Sequence, residues 1–341
     1  MPTRRPTIID VAQRAGVSKS LVSMALRGDP GVSPARREAV LRAADQLGYR
    51  PNRAASLLAG TRSDTVGVVV DDLRNPWYLP LLAGIRGALV PHGLRLTLTD
   101  AAMNRHLGAD PLDDAVSLRV DGLIMAAEAL DHRAVPEGLP VVVAGTRAQR
   151  PEGAAVVAAD EGAGIRLALD HLWGLGHREV AHLTGPGGSA TARREAAEAA
   201  AAERPDVRLT MEGEDATTEE AGYAATLRAL RDRPGVTAIL AANDVMAMGA
   251  LAAARELGLR VPEDLSVMGH DASPLAASPL LRLTTVDPRN DDVGRAAAEL
   301  LLRMIRGGAE GSPVETTLLR PGLIARRSTG AAPTRRRDAA G

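Results

Sequence analysis

With 341 residues, 41 basic and 42 acidic side chains and a formal charge of −1, the chain is long enough for two or three domains with sizeable cores. It has no cysteine, which excludes a disulfide scaffold, a thiol nucleophile and a cysteine metal site, and no run approaches the roughly 20 apolar residues that span a bilayer. The opening MPTRRPTIID is basic but lacks the apolar run of a signal peptide, so the expectation is a cytoplasmic protein with no membrane association.

The net charge hides an asymmetry. Residues 1–62 carry eleven basic against four acidic side chains, +7, and the remainder 30 against 38, −8. A basic head on an acidic body is the electrostatic footprint of a DNA-binding module on a regulatory body. A basic surface with no partner would give the same count, so the pattern has to decide.

Residues 7–48 read as three short helices. Thr7 with Asp10 three positions on resembles a capping box, and Ile8, Val11, Ala12 and Ala15 form one apolar stripe ended by Gly16. Ser18 is a good N-cap for a second helix at about 19–26, whose Leu21, Val22, Ala25 and Leu26 face inward. That leaves Lys19, Ser20, Ser23 and Met24 off the apolar face. After the turn Gly28-Asp29-Pro30-Gly31, Ser33 and Pro34 open a third helix that Gly48 stops. Two helices joined by a tight turn and closed by a third are a helix-turn-helix arrangement, whose second helix can reach base edges in the major groove. A small helical domain with a solvated polar face is the alternative. Residues 52–59, NRAASLLA, are too few for a helix that stands alone in water.

From residue 64 strands and helices alternate. TVGVVV at 65–70, LRLTLTD at 94–100, DGLIMAA at 121–127, LPVVVAG at 139–145, REVAHLTG at 178–185, VTAILAAND at 236–244 and LSVMGHD at 265–271 are apolar β runs separated by helical stretches. This predicts parallel, doubly wound α/β sheets, with too many units for one sheet, hence two lobes with a cleft between them. Ligands of such sheets bind beyond the carboxyl ends of strands, and those ends carry Asp71, Asp72, Asn75, Asp160, Asn243, Asp244 and Asp271. A lone Asp there is more often a turn or cap, but their recurrence suits a hydroxyl-rich ligand. Trp173, on an amphipathic helix, is expected in the core.

The stretch from Thr7 to Gly60 resembles the headpiece and hinge of the lactose-repressor (LacI/GalR) family, through Asp10-Val11-Ala12, Ala15-Gly16-Val17-Ser18, Val22-Ser23, Val32-Ser33, Gly48-Tyr49, Pro51-Asn52-Arg53-Ala54 and Leu58-Ala59-Gly60. The likeness continues more loosely to about residue 329 through VDGLIM, HLWGLGHREVAHLTG, AILAANDVMAMGAL and ELGLRVPEDLSVMGHD. It implies a repressor that binds double-stranded DNA at a palindromic operator as a homodimer, controlled by a small-molecule effector, a sugar or related polyol. The implied organisation is a headpiece at 1–50, a hinge helix and linker at 51–63, a periplasmic-binding-protein-like core at 64–329 and a disordered tail at 330–341. Within the core, one lobe is expected at about 64–160 with 288–315 and the other at 161–286 with 318–327.

Carried over residue by residue, the likeness puts Lys19, Ser20 and Met24 where the family reads bases. Thr7, Ser18, Ser23, Ser33 and Asn52 fall at phosphate-contacting positions, Arg53 belongs to the same hinge motif, and Leu58 takes the place of the minor-groove wedge. Effector contacts fall on Asp72, Trp77, Asn243, Asp244, Asp271 and Asn290. Many members have Arg where this chain has Met24, which points to an apolar contact with a thymine methyl instead. The family also has an Arg on the helix after its GPGGS-type loop. Here TARREAAEAAAAE puts Glu195 at that place, and a shift of one residue puts Arg194 there. The helix at 79–90 is expected to pair across the dimer dyad.

An enzyme is the rival class. The seven histidines form no HExxH motif, and there is no GxSxG and no Walker A, so no catalytic residues, metal or cofactor are expected. A secreted solute-binding protein would share the core but not the headpiece.

Overall fold

Capping fixes the three amino-terminal helices. In the computed structural model, which describes residues 6–50, 63–108, 110–128, 135–213, 215–307 and 315–334, α1 (Ile8–Ala15) opens on a reciprocal pair. Thr7 N–H donates to Asp10 Oδ2 at 2.7 Å, and Asp10 N–H donates back to Thr7 Oγ1 at 3.4 Å. Gly16 ends the helix at φ +68°, a left-handed value that a side chain would oppose. The next helix, α2 (Lys19–Arg27), is capped by Ser18, whose Oγ accepts from Leu21 N–H at 3.2 Å, and α3 (Pro34–Leu47) begins with its proline. Val11, Val22 and Val40 are fully buried where the three helices meet, with Ala12, Ala25, Val32, Ala43 and Ala44 around them.

A second unit begins at Asp64. Its first lobe is the sheet β11-β5-β4-β3-β1-β2, all parallel, made of β1 (Thr65–Val70), β2 (Arg95–Asp100), β3 (Gly122–Ala126), β4 (Val141–Ala144), β5 (Ala155–Ala159) and β11 (Thr316–Leu319). The second lobe is the sheet β12-β10-β9-β8-β6-β7, from β6 (Glu179–Leu183), β7 (Arg208–Glu212), β8 (Ala238–Ala241), β9 (Ser266–His270), β10 (Thr284–Asp287) and β12 (Gly322–Ile324). It is parallel apart from β12, which runs antiparallel to β10. Apolar runs such as VVV of β1 and AILA of β8 are buried along their length because helices cover both faces of each sheet.

Those helices are α4 (Tyr78–Leu89), α5 (Ala101–Asn104), α6 (Pro111–Ser117), α7 (Glu161–Gly174), α8 (Gly188–Ala202), α9 (Glu219–Asp232), α10 (Asp244–Glu256) and α11 (Asn290–Gly307). Helices α4 and α11 approach backbone to backbone: a Cβ added at Gly84 would lie 1.9 Å from Asp291 O, and one at Gly294 2.1 Å from Leu81 O. Trp173 is buried in the core of the second lobe, as expected.

The chain crosses between lobes after β5, after β10 and between β11 and β12. The last crossing falls at Arg320-Pro321, so Leu318 and Leu319, assigned above to the second lobe, belong to a strand of the first. The carboxyl-terminal segment also departs from expectation. Residues 330–334, read as the start of a disordered tail, run along the second lobe: Gly330 N–H donates to Ser266 Oγ at 3.0 Å, and Ala332 N–H to Leu175 O at 2.8 Å. Small residues there let backbone amides reach polar groups on the lobe, a pairing that composition does not reveal. Residues 335–341 lie outside the described residues.

Candidate ligand cleft and nucleic-acid interface

The carboxyl ends of strands from both sheets enclose a cavity of about 470 Å³. The first lobe contributes Asp71, Asp72, Asn75, Trp77, Glu128 and Arg147, and the second contributes Ser189, Arg193, Thr217, Asn243 and Asp271. Of the seven residues carried over as effector contacts, four line it: Asp72, Trp77, Asn243 and Asp271.

The other three do not. Arg193, one position before the Arg194 expected, is the arginine of α8 that reaches the cavity; Arg194 is only partly covered and does not line it. A helix turns about 100° per residue, so a misplacement by one moves the side chain to another face. Asp244 is 1% exposed and serves the scaffold, accepting from Ser273 N–H at 2.7 Å and Thr285 Oγ1–H at 2.6 Å. Asn290 is likewise buried, its Nδ2 donating to Asp271 O at 3.3 Å. Both act behind the wall, on the residues that form it.

Asp271 is the most constrained member. Its backbone sits at φ +107°, a region that side chains rarely adopt, followed by Ala272 at +47°. Asp271 N–H donates to Val286 O at 3.0 Å, and its carboxylate faces Arg193 Nη2 at 3.4 Å. Arg193 also donates from Nε to Glu161 Oε2 at 2.7 Å and from Nη1 to Ala242 O at 2.5 Å. Burial pushes the Asp271 carboxyl up to about 6, against the pull of Arg193, and pushes Asp244 up to about 7, with the Asp271 charge adding to it. Behind them His182 and His270 are buried, and burial pushes His182 down to about 4 and His270 well below its ordinary value. Asn243 caps α10 through Oδ1 to Met246 N–H at 2.8 Å and donates from Nδ2 to Thr217 O at 3.1 Å.

The first-lobe wall is built around Tyr78, Trp77 and Arg147. The Tyr78 hydroxyl donates to Ala126 O at 2.9 Å, and burial raises its pKa. Trp77 meets Tyr78 edge to face at 4.9 Å, and the Arg147 guanidinium lies 5.0 Å from the centre of the Trp77 ring. One face of the Trp77 ring thus lies against the chain's own cation. Arg147, Glu128 and Arg193 went unnamed as ligand-facing residues. Glu128 and Arg147 sit just beyond β3 and β4, so the same strand-end rule that found Asp72 and Asn243 could have found them.

On the amino-terminal unit Lys19 and Ser20 are exposed on α2. Met24 is not: it is partly buried against the three-helix core and lies close to Gly31. The 100° step again explains this, since Met24 follows Leu21 by one turn. Thr7 and Ser18 serve as caps, while Ser33 caps α3 without a side-chain hydrogen bond, and Ser23 is half-buried. Asn52, Arg53 and Leu58 lie outside the described residues. Among the described residues no group of His, Asp or Glu could hold a metal ion, and no helix is long and apolar enough to cross a membrane.

Residues 7–52 match the model of bacterial regulatory proteins of the lacI family, and residues 169–329 that of a periplasmic binding protein-like domain. The chain is 36% identical to the HTH-type transcriptional regulator CelR of Thermobifida fusca, over 89% of this chain and 93% of that protein. Among solved structures, a LacI-family regulator from Corynebacterium glutamicum shares 39% identity, with a TM-score of 0.71 over 79% of this chain and 99% of that one. The lac repressor dimer bound to operator and an anti-inducer matches with a TM-score of 0.80 at 28% identity, covering 96% of this chain and all of the other.

Proposed function

This chain belongs to the lacI family of bacterial regulatory proteins, and from that premise we propose that it is a cytoplasmic repressor that holds a palindromic operator as a homodimer and answers to a carbohydrate in the interlobe cleft. It is a DNA-binding transcriptional regulator, not an enzyme. The observation that carries the effector reading is the cavity of about 470 Å³, where carboxylates, two side-chain amides and three arginines from both lobes converge beside Trp77. Such a set of acceptors and donors suits a ligand rich in hydroxyls. A relative has been solved as a CelR–cellobiose complex, which makes cellobiose a reasonable first probe.

In this reading Lys19 and Ser20 face bases, and Met24 supports the reading helix from below. Thr7, Ser18, Ser23, Ser33 and Asn52 contact or position phosphates, with Arg53 and the Leu58 wedge following in the hinge. Asp72, Trp77, Asn243, Asp271 and Arg193 hold the effector, while Asp244 and Asn290 hold the wall. For the dimer, α4 leaves Leu79 exposed beside its buried Leu81 and Ile85, Val90 just after the helix is exposed as well, and Leu280 of the second lobe is 90% exposed. Apolar side chains so exposed suit a second copy of the chain.

The test is selection of binding sites from random DNA by the full chain, followed by titration of the selected duplex complex with cellobiose and with ribose. A two-fold symmetric site, released or tightened by one saccharide, is the expected result. Selection of no symmetric site would overturn the operator reading, and indifference to a wide panel of neutral saccharides would overturn the effector reading.

A further inference from the structure

The end of the cleft formed by Glu128 and Arg147 contains an anion cradle that the chain fills itself. Glu128, on the first lobe, directs its carboxylate across to the second. Oε1 accepts from Gly188 N–H at 2.9 Å, and Oε2 accepts from Ala148 N–H at 2.9 Å. Gly188 is the first residue of α8, a 15-residue helix whose N-cap Gly187 supplies no side-chain cap. The Glu128 carboxylate therefore meets the positive end of a helix dipole that a capping side chain would otherwise face.

The approach is close because the second-lobe residues are glycines. A Cβ on Gly188 would lie 2.3 Å from Ala148 N, and one on Gly187 would lie 3.1 Å from Glu128 Oε1. Ser189 Oγ donates to Thr146 O at 3.0 Å beside them.

Arg147 supplies an independent sign that the place is built for an anion. Its side chain is only 8% exposed, its Nη1 lies 3.5 Å from Glu128 Oε1, and its Nη2 donates to Ala144 O at 3.1 Å. Its Nε is buried without a hydrogen-bond partner. A buried guanidinium, two convergent amides and a helix amino terminus make a cradle for a carboxylate. Glu128, 24% exposed on the same wall, already occupies it.

We propose that Glu128 is a specificity-determining residue: by filling this cradle it excludes acidic sugars from the cleft and confines the effector to neutral saccharides. The proposal rests on the effector reading above and narrows it. A sugar acid entering this end of the cleft would meet the Glu128 carboxylate where its own charge seeks the two amides. Vacating the cradle converts it into a carboxylate site.

The experiment compares the full wild-type chain with Glu128→Ala in sodium formate and in sodium chloride of equal ionic strength, following thermal unfolding, and then titrates both with D-gluconate by calorimetry. For Glu128→Ala the unfolding midpoint is expected to rise saturably with formate, by about 2–4 °C at tenfold excess over the dissociation constant, and not with chloride. Gluconate binding is expected to strengthen at least about tenfold over wild type, the loss of one charge-assisted contact's worth of competition. Wild type should respond to neither anion.

Equal responses of the two proteins to formate would overturn the cradle, and gluconate binding by wild type as tight as by the variant would overturn the exclusion. Should Glu128→Ala not fold in chloride, its refolding yield with and without formate decides in the same way: rescue supports the cradle and equal failure overturns it. The formate arm does not depend on any saccharide binding the cleft, so a failure of the effector reading and a failure of this proposal are distinguishable.

Discussion

The two walls of the cleft use the same chemical pair, arginine with carboxylate, in opposite ways. On the first lobe Arg74 holds Asp72 at 2.6 Å on a loop, with the guanidinium 88% exposed. On the second, Arg193 emerges from the body of α8 with only 6% of its side chain exposed and joins Glu161, Asp271 and a backbone carbonyl. Water screens the first pair far more than the second. Buried charges cost several kcal/mol each to desolvate, so the second wall holds together only while every partner is present. A wall of that kind is stiff and has one arrangement; a wall of exposed pairs can rearrange around a ligand at little cost. The comparison teaches that the Arg193 cluster positions, while the Asp72 loop of the first lobe, unlike the buried Arg147–Glu128 pair beside it, adapts.

Removing Arg193 should strain that contrast most. Arg193→Ala strands Glu161 and Asp271, each less than a tenth exposed, without their cation. Urea unfolding should show a loss of about 3–5 kcal/mol. Arg193→Lys should recover little, since an ammonium cannot reproduce the fork that serves Glu161, Ala242 and Asp271 together. A loss below about 1 kcal/mol would mean that water enters behind the wall, and the contrast between lobes would collapse.

Next come two further second-lobe residues that line the cavity. Asp271→Ala and Asn243→Ala should abolish the response to the effector while leaving the operator affinity of the folded protein without ligand nearly intact, and Asp271→Ala should also lower stability, since it removes a buried partner of Arg193. Asn243→Ala also removes the cap on Met246 N–H, so it should lose about 1 kcal/mol in stability. Fluorescence anisotropy of a labelled operator, with and without saccharide, measures the first effect, and denaturant unfolding the second. A normal ligand response in either variant would detach that residue from the cleft.

A pH series sharpens the same point. A carboxyl whose folded pKa is raised contributes stability present below its ordinary value of about 4 and lost as pH rises through the folded value. For Asp271 and Asp244 that loss runs up to about 6 and about 7. His182 and His270, pushed down by burial, work in the other sense: their contribution is present at neutral pH and lost as pH falls below about 6.5. The two trends oppose each other in wild type. Asp244→Asn removes one carboxyl from the balance, so the stability of wild type relative to the variant should decline as pH rises from 4 to 8. A difference flat with pH would place water beside Asp244.

Much of this arrangement was legible in the sequence, because local rules write it there. The Thr7 capping box, the left-handed Gly16 and the alternation of apolar strands with helices are contacts between neighbours in the chain, and they survive folding. Asp72, Asn243 and Asp271 were legible for a similar reason, since position at a strand end is a local property. Arg193 was misjudged as Arg194 because the phase of a helix is decided by what it packs against, and no residue in the Ala- and Glu-rich α8 announces its inner face. Met24 turned inward for the same reason. Asp244 and Asn290 have the right chemistry but support the wall, a distinction of a few ångströms in depth that linear position does not carry. The Glu128 carboxylate meets Gly188, 60 residues on, and a contact of that span leaves no local sign.

The smallest expected effect, and the one that most directly tests the adaptable wall, lies at Arg74. Its removal should leave the unfolding midpoint unchanged within error, because the pair it makes is held in water. Ligand affinity should nevertheless move, and upward. Both oxygens of Asp72 are engaged by Arg74, Oδ1 at 3.0 Å and 2.9 Å by Nε and the backbone N–H, Oδ2 at 2.6 Å by Nη2. Hydrogen bonding to Arg74 holds the Asp72 carboxyl below its ordinary range, so it stays ionised at neutral pH with or without that partner. A sugar hydroxyl that approaches Asp72 has to displace the guanidinium, and in Arg74→Ala it would not. Saccharide affinity should therefore rise by a factor of about three or less, the scale of an exposed pair, and the gain should shrink in 0.5 M salt, where the displaced interaction is already screened. A fall in affinity would mean that Arg74 itself touches the ligand, and the first wall would then be as specific as the second.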